Sequence, residues 1–245
     1  MILRHLLHGL SVGCVAILAL APAANAGEKR AVIELFTSQG CSSCPPADRL
    51  LGELSNDHSL IALSLSVNYW DYLGWKDTLA LSRHAQRQRG YAKARGDRQV
   101  YTPQAVINGM VHAIGSDRSA IEKAIAQTRS KAGTMAVPVK MSNDGGRITV
   151  AVPESSSAQG EVWICGVKRA AAVEIGRGEN RGRTVTYHNV VRGWHKLGDW
   201  SGKSASWTVS RSDLKAGVDE AAVIVQERPN GYPGRVLGAA TVALK

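Results

Sequence analysis

The sequence lacks a second set of metal ligands. It contains four cysteines and seven histidines in 245 residues, but Cys41 and Cys44 form its one Cys-x-x-Cys, and no paired histidine motif follows them. A structural zinc site needs four ligands, which usually come as two such pairs. The missing pair therefore argues against zinc and leaves Cys41 and Cys44 as a candidate redox dithiol.

Acidic and aromatic residues are also scarce. The chain has 30 lysines and arginines against 20 aspartates and glutamates, a formal net charge of +10, and 5% aromatic residues. The basic residues are scattered and no nucleic-acid-binding motif accompanies them, so we expect a solvated basic surface and no nucleic-acid partner. No repeat or low-complexity tract stands out, and we expect no cofactor.

One long apolar run is present, at the N-terminus. Arg4 precedes an almost wholly apolar stretch, residues 10–20, and Ala24-Asn25-Ala26 follows as a small-residue cleavage site. This is the pattern of an export signal, and its apolar core is too short to span a bilayer. We therefore predict a signal peptide over residues 1–26, a periplasmic or secreted mature protein, and no stable membrane span after cleavage. An uncleaved anchor is the alternative.

The dithiol lies between a predicted strand and a predicted helix. The apolar run over residues 31–37 predicts a short buried strand, and Pro45 and Pro46 suit the first turn of a helix. The free amides and dipole of that helix favour a thiolate on Cys41, and Cys44 is close enough to form a disulfide with it. We expect Cys41 at an exposed turn and Cys44 shielded. A permanent disulfide that staples the loop is the alternative, although so short a ring adds little stability.

Glu34 is the one charged residue of the first predicted strand. Val32, Leu35 and Phe36 surround it, which predicts a buried carboxyl, and burying an unpaired carboxylate is costly. A buried acid behind a dithiol is suited to relay a proton to or from the second thiol. The alternative is a strand-edge glutamate that faces solvent. Cys165, in another apolar run, is expected to be a buried thiol that acts as a small hydrophobe.

An aromatic loop follows the second predicted strand, residues 60–67. Tyr69, Trp70 and Trp75 belong to a stretch with four aromatic residues in eight. Ligands of open α/β sheets bind beyond the carboxyl ends of the strands, where the dithiol also lies. We therefore predict that these three residues bind substrate; simple loop packing is the alternative.

Turn and cap signals complete the first half of the chain. We predict a helix over residues 78–93, a strand headed by Pro103, and a hairpin at Asn108-Gly109. A last helix is expected to be capped by Ser116 or Ser119 and ended by Gly133. The order over residues 27–133 is then β-α-β-α-β-β-α.

With this order in place, the chain resembles exported members of the thioredoxin superfamily, and more closely a secreted bacterial thioredoxin-like family of unknown function. The matching blocks are residues 34–48, 69–75, 101–104 and 178–182. The resemblance implies a thioredoxin-like fold in which Cys41 is the nucleophile, Cys44 the resolving thiol and Pro103 a cis proline. We place Thr102, beside that proline, with the substrate-binding residues.

The composition changes at residue 134. Short apolar strands separated by Gly, Ser and Asn turns predict a smaller, mostly antiparallel, sandwich-like β domain over residues 134–245. Residues 178–182 and Trp194-His195 are interpreted as loops without metal-ligand spacing.

The leading functional hypothesis is an exported thiol-disulfide oxidoreductase that acts on exported proteins or on small-molecule thiols and disulfides. The pattern fits an oxidase, a reductase or an isomerase equally. One alternative is a copper(I)-binding module that uses both thiols with Met110 or His112. The other is a binding protein whose cysteine pair is vestigial.

Overall fold

The computed structural model describes residues 29–156 and 158–244. The predicted signal peptide and its cleavage site lie outside the described residues. Within those two ranges, no helix is both long and apolar enough to cross a membrane.

The first half has the predicted order of elements. Its strands and helices are β1 (Ala31–Thr37), α1 (Pro45–Leu54), β2 (Leu60–Ser66), α2 (Ser82–Arg95), β3 (Gln104–Ile107), β4 (Val111–Ile114) and α3 (Arg118–Arg129). Those of the second half are β5 (Lys140–Asp144), β6 (Arg147–Val152), β7 (Gly160–Glu174), β8 (Thr184–Trp200), β9 (Ala205–Ser210), β10 (Glu220–Gln226) and β11 (Val236–Ala243). Three single 3-10 turns cover Asp71–Leu73, Arg211–Asp213 and Pro229–Gly231.

The fold is mixed α/β, with a large central sheet and a smaller antiparallel one. The large sheet has the strand order β11-β10-β7-β8-β2-β1-β3-β4, and the small sheet has the order β5-β6-β9. The expected smaller sheet is therefore present, but most strands of the second half extend the sheet of the first. They join it where β8 pairs in parallel with β2 through Ser64 and Val190. The domain division at residue 133 stays a prediction.

Helices cover both faces of the first half of the large sheet. Ile33 and Leu35 of β1 pack with α1 and α3, whereas Val32 and Phe36 pack on the face that carries α2. Because successive side chains of a strand point to opposite faces, a strand buried on both sides reads as a continuous apolar run. This explains the sequence of β1, and it places α1 and the cysteines on a defined face.

A third core joins the two sheets. Ile148, Val150 and Val152 of β6 are buried against Val162 and Ile164 of β7. The side chains between them in β6 are partly exposed, which is the alternation of a sheet with one solvated face. The sandwich-like packing expected of the second half is thus found between the small sheet and one end of the large one.

Three predicted boundaries are wrong, and local hydrogen bonds explain two of them. Helix α2 begins at Ser82 rather than residue 78, because the Asp77 carboxylate accepts the Leu79 amide at 2.8 Å and holds a turn there. Helix α3 is capped by Asp117, which accepts the Ala120 amide at 2.9 Å, and not by Ser116 or Ser119. It ends at Arg129, before Gly133.

The predicted hairpin at Asn108-Gly109 is confirmed. Asn108 and Gly109 have φ angles of 49° and 70° and connect β3 to β4. A Cβ on Gly109 would lie 1.9 Å from the carbonyl oxygen of Gly234, so this position requires glycine.

Candidate functional site

Cys41 and Cys44 form a disulfide at the start of α1, with their Cα atoms 5.4 Å apart. Cys44 is the N-cap residue and Pro45 begins the helix. The carbonyl oxygen of Cys44 accepts the amides of Ala47 and Asp48 at 2.9 and 3.1 Å. The predicted arrangement of strand, Cys-x-x-Cys and helix is therefore confirmed.

The predicted exposure of Cys41 is wrong. Cys41 is 2% exposed and Cys44 is 0% exposed. Residues 178–182, here called the covering loop, lie between β7 and β8 and contact residues 39–44, here called the dithiol segment. Asn180 donates from Nδ2 to the carbonyl oxygens of Gln39 and Cys41, at 2.9 and 2.8 Å. The long β7–β8 hairpin thus delivers a polar residue that bonds to the backbone of the segment carrying the disulfide.

A second residue of the covering loop contacts the dithiol segment. The Glu179 carboxylate accepts the Ser42 amide at 3.3 Å. From the sequence, residues 178–182 are interpreted only as a loop without metal-ligand spacing. Its one signal was that residues 178–182 belong to the blocks that carry the family resemblance.

Asp48 is a buried acid that the sequence analysis missed. It follows Cys44 by one helical turn, so the two residues share a face of α1. Asp48 is 1% exposed, and within the described residues neither carboxyl oxygen has a hydrogen-bond partner. Burial raises the pKa of Asp48 to about 7. The nearby Asp77 carboxyl also raises it, whereas the Thr37 hydroxyl lowers it although the two groups do not meet hydrogen-bond geometry.

Two further acidic groups lie around Asp48. Burial raises the pKa of Tyr187 on β8, and the Asp48 and Asp77 carboxyls add to the shift. Asp77 accepts the amide of Gln39, two residues before Cys41, at 2.8 Å. The first turn of α1, the segment before α2 and β8 therefore bring three buried titratable side chains near one another, and Tyr187 keeps its proton.

Glu34 is fully buried, as predicted, but its carboxylate is paired. Arg87 of α2 donates to it from Nε at 2.6 Å and from Nη2 at 3.1 Å, and the Tyr91 hydroxyl also donates to it. Burial alone would lower the pKa of Arg87. Together with further contacts, the attraction of the Glu34 carboxylate has the larger effect, so the pKa of Arg87 is raised. Glu34 points to the α2 face of β1, while α1 covers the other face. Its relay role stays a prediction, and its contacts assign it to an ion pair with α2.

The aromatic loop divides between the dithiol side and α2. Trp70 donates from Nε1 to the Thr102 hydroxyl at 2.7 Å, and Trp75 donates to the Gln39 side chain at 2.8 Å. A Cβ on Gly40 would lie 3.0 Å from the Cβ of Trp70, so Trp70 lies beside the residue that precedes Cys41. Tyr69 instead donates to Gln88 of α2 at 3.2 Å. The structure thus brings Trp70 and Trp75 to the dithiol segment, with Thr102 bonded to Trp70, while the neighbouring Tyr69 bonds to α2.

The Thr102–Pro103 peptide bond is cis, as the resemblance implied. Pro103 also lies near the start of α1. A Cβ built on Gly115 would lie 3.1 Å from the Cβ of Pro103 and 3.2 Å from the Cβ of Ala47, three residues after Cys44. The predicted catalytic proline therefore shares a neighbour with the helix that carries the dithiol.

The residues considered for copper have other partners. The sulfur of Met110 accepts the Thr134 hydroxyl at 3.6 Å. His112 bonds the Tyr101 hydroxyl through Nδ1 at 2.8 Å, and its Nε2 lies 3.3 Å from Asp97. In the part of the chain that the structure describes, no three His, Cys, Asp or Glu side chains form a group that could hold a metal.

Cys165 is a free, fully buried thiol, as predicted. Burial raises the pKa of its thiol, and the nearby Glu34 adds to the shift. This thiol therefore stays protonated and unreactive, which agrees with its interpretation as a small hydrophobe.

Comparison with known proteins gives a family and a structural relative. Residues 32–226 match the family described as "Protein of unknown function (DUF1223)". The X-ray crystal structure of protein AGR_C_4864 from Agrobacterium tumefaciens is similar to this chain at 30% sequence identity and a TM-score of 0.79, covering 88% of this chain and 95% of that one. No curated protein matches. The chain belongs to the DUF1223 family of proteins of unknown function.

Proposed function

We propose that this protein is an exported thiol-disulfide oxidoreductase with a thioredoxin-like fold. The observation that carries the proposal is the Cys41–Cys44 disulfide at the first turn of α1, directly after a central strand. The element order β-α-β-α-β-β-α and the strand order β2-β1-β3-β4 support the fold. The predicted export signal supports a periplasmic or secreted location, where disulfides form and persist.

The exchange reaction uses the two sulfurs in sequence. In the reduced protein the Cys41 thiolate attacks one sulfur of a partner disulfide, and the other partner sulfur leaves as a thiolate. The Cys44 thiolate then attacks the Cys41 sulfur, which closes the internal disulfide and releases the second partner thiolate. Two electrons pass to the partner, and the reverse sequence oxidises a partner dithiol.

Asp48 is suited to accept the proton that Cys44 must lose before its attack. It lies one helical turn from Cys44, and a pKa of about 7 lets the carboxyl exchange protons near neutral pH. The contacts support Asp48 in this role better than Glu34, whose carboxylate is held by Arg87.

Access to the sulfurs involves the covering loop and the aromatic loop. Because Cys41 is 2% exposed, a protein substrate reaches it only when the covering loop releases its contacts through Asn180. We assign Trp70, Thr102 and Trp75 to substrate binding, because Trp70 lies beside Gly40 and bonds Thr102, and Trp75 bonds Gln39.

Trapping of mixed disulfides tests the proposal. In a Cys165→Ala background, the Cys44→Ala variant is expected to accumulate mixed disulfides through Cys41, because nothing remains to release the partner. The partner is identified by mass spectrometry after non-reducing electrophoresis. The matched Cys41→Ala variant should trap few partners, since the contacts that Asn180 releases are to Gln39 and Cys41 and leave Cys44 buried at the start of the helix. Equal trapping by the two variants, or none by Cys44→Ala, would contradict the proposal.

A further inference from the structure

A cavity of about 500 Å³ lies against α2. Its walls are α2, the segment after β10, and the tryptophans Trp163 of β7 and Trp194 of β8. No residue of the dithiol segment or of the covering loop lines it. The volume is within the range of small-molecule sites, roughly 300–1,000 Å³.

The lining of this cavity carries charge of one sign. In the part of the chain that the structure describes, five basic side chains and no acidic one face it: Arg83, Arg87, Arg89, Lys93 and Arg228. Glu34 pairs with Arg87 and Glu161 pairs with Arg228. Within residues 29–156 and 158–244, no carboxylate pairs with any of the other three. Unpaired cations that converge on a concave surface give it a positive potential that attracts anions.

The fold holds these cations in place. Arg83, Arg87 and Gly90 follow helical spacing and share one face of α2. Arg83 donates from Nη1 to the carbonyl oxygen of Trp194 at 3.3 Å, which fixes its guanidinium at the wall. A Cβ on Gly90 would lie 2.7 Å from Cδ of Pro233, so glycine here lets the segment after β10 approach the helix and complete the cavity.

Aromatic rings supply the rest of the wall. Trp194 is only 5% exposed, and its Nε1 has no hydrogen-bond partner among the described residues. The Arg87 guanidinium lies 4.5 Å from the centre of its ring, and the Lys93 ammonium lies 5.3 Å from the ring of Tyr232. The cavity therefore combines flat apolar surfaces with adjacent cations that have spare hydrogen-bond donors.

We propose that this cavity binds a small aromatic anion, in which a carboxylate, sulfonate or phosphate group is joined to a flat ring. The anionic group pairs with Arg83, Arg89 and Lys93, and guanidinium groups suit such anions because they donate two parallel hydrogen bonds. The ring packs against Trp163 and Tyr232. An inorganic anion would leave the aromatic walls unused, and a neutral ring would leave the cations unpaired. The proposal is independent of the dithiol chemistry.

Isothermal titration calorimetry with naphthyl phosphate, inorganic phosphate and naphthol tests the ligand class. Naphthyl phosphate is expected to bind at one site, at least tenfold more tightly than either of the other two, and more weakly as salt is added. Inorganic phosphate binding as tightly as naphthyl phosphate, or no binding at millimolar concentration, would overturn the proposal.

Two variants locate the site. Arg83 and Lys93 are exposed side chains, so Arg83→Gln and Lys93→Gln should fold normally, as circular dichroism would check. Each is expected to weaken naphthyl phosphate binding about tenfold, through loss of a charge-assisted contact. Arg129→Gln and Lys123→Gln, on exposed positions of α3 across the sheet, are the matched controls and should leave the affinity unchanged. Unchanged affinity in the Arg83 and Lys93 variants would place the ligand elsewhere and overturn the assignment.

Discussion

Asp48→Asn is expected to stabilise the oxidised protein increasingly as the pH rises. The native Asp48 carboxyl is 1% exposed and has a pKa of about 7, whereas its ordinary value is 3.8. The native state therefore keeps a proton that the unfolded state has already lost between these two values. Asparagine has nearly the same shape but cannot ionise, so the variant has no corresponding penalty.

The size of this effect follows from the pKa difference. A difference from 3.8 to about 7 corresponds to about 4 kcal/mol, at about 1.4 kcal/mol for each pH unit. The stability that the protonated Asp48 carboxyl gives the wild-type protein is fully present below pH 4 and is lost as the pH rises to about 7. The free energy of unfolding of the variant, minus that of the wild type, should thus rise by about 1.4 kcal/mol per pH unit between pH 4 and 7 and then level off.

Urea unfolding of both oxidised proteins at several pH values between 4 and 8 measures this difference. Any effect of the new amide on packing is independent of pH, so the slope is the informative quantity. Asp144→Asn, at an exposed position of β5, is the matched control and should show a small difference that stays flat. A flat difference for Asp48→Asn as well would refute the burial argument and remove Asp48 as the proton acceptor of Cys44.

Two further changes test the covering loop and the buried ion pair. Asn180→Ala should raise the alkylation rate of Cys41 in the reduced protein at least tenfold, because two hydrogen bonds to the dithiol segment are lost. Arg181→Ala, at the exposed neighbouring position, is the control. Equal alkylation rates in the two variants would show that Asn180 does not restrict access to Cys41. Glu34→Gln should lower the free energy of unfolding by about 3–5 kcal/mol, since it leaves the Arg87 charge buried without its partner. The control is Glu53→Gln, which breaks the exposed ion pair between Glu53 and Arg118 and should lower the free energy of unfolding by less than about 1 kcal/mol in the same urea experiment. An equally small decrease for Glu34→Gln would contradict the buried ion pair.

Local signals were sufficient for the elements around the dithiol. The apolar run of β1, the prolines that begin α1 and the Asn108-Gly109 turn each act within a few residues. Propensity and turn chemistry are therefore enough to predict them. The position of Cys41 and Cys44 at the helix start follows from the same local reasoning.

The covering loop could not be predicted in this way. Asn180 bonds the carbonyl oxygen of a residue 139 positions earlier in the chain, so the contact exists only after β7 and β8 have joined the sheet. The exposure of Cys41 was predicted from its own segment, which is why it was wrong. The cap of α3 is a local contact instead, but the prediction named Ser116 and Ser119 and missed Asp117 between them.

Asp48 and Glu34 show why the surroundings of a buried charged residue are difficult to predict from sequence. The sequence identified Glu34 because apolar neighbours surround it, but the partner that neutralises it, Arg87, is 53 residues away. Asp48 has ordinary helix neighbours and is buried because β8 packs on α1. Burial of a single polar residue on a helix depends on tertiary packing, which periodicity alone does not reveal.

The central claim is that Cys41 and Cys44 exchange electrons reversibly with external thiols. A titration in glutathione redox buffers, with free thiols alkylated and counted by mass spectrometry, measures this directly in the Cys165→Ala protein. We expect one reversible two-electron transition, with the same midpoint whether the titration starts from the oxidised or the reduced protein. Its slope should be about 30 mV per tenfold change in the equilibrium constant, and the Cys41→Ala variant should show no transition. A disulfide that stays closed in every buffer and exchanges with no thiol would show a structural staple and contradict the account.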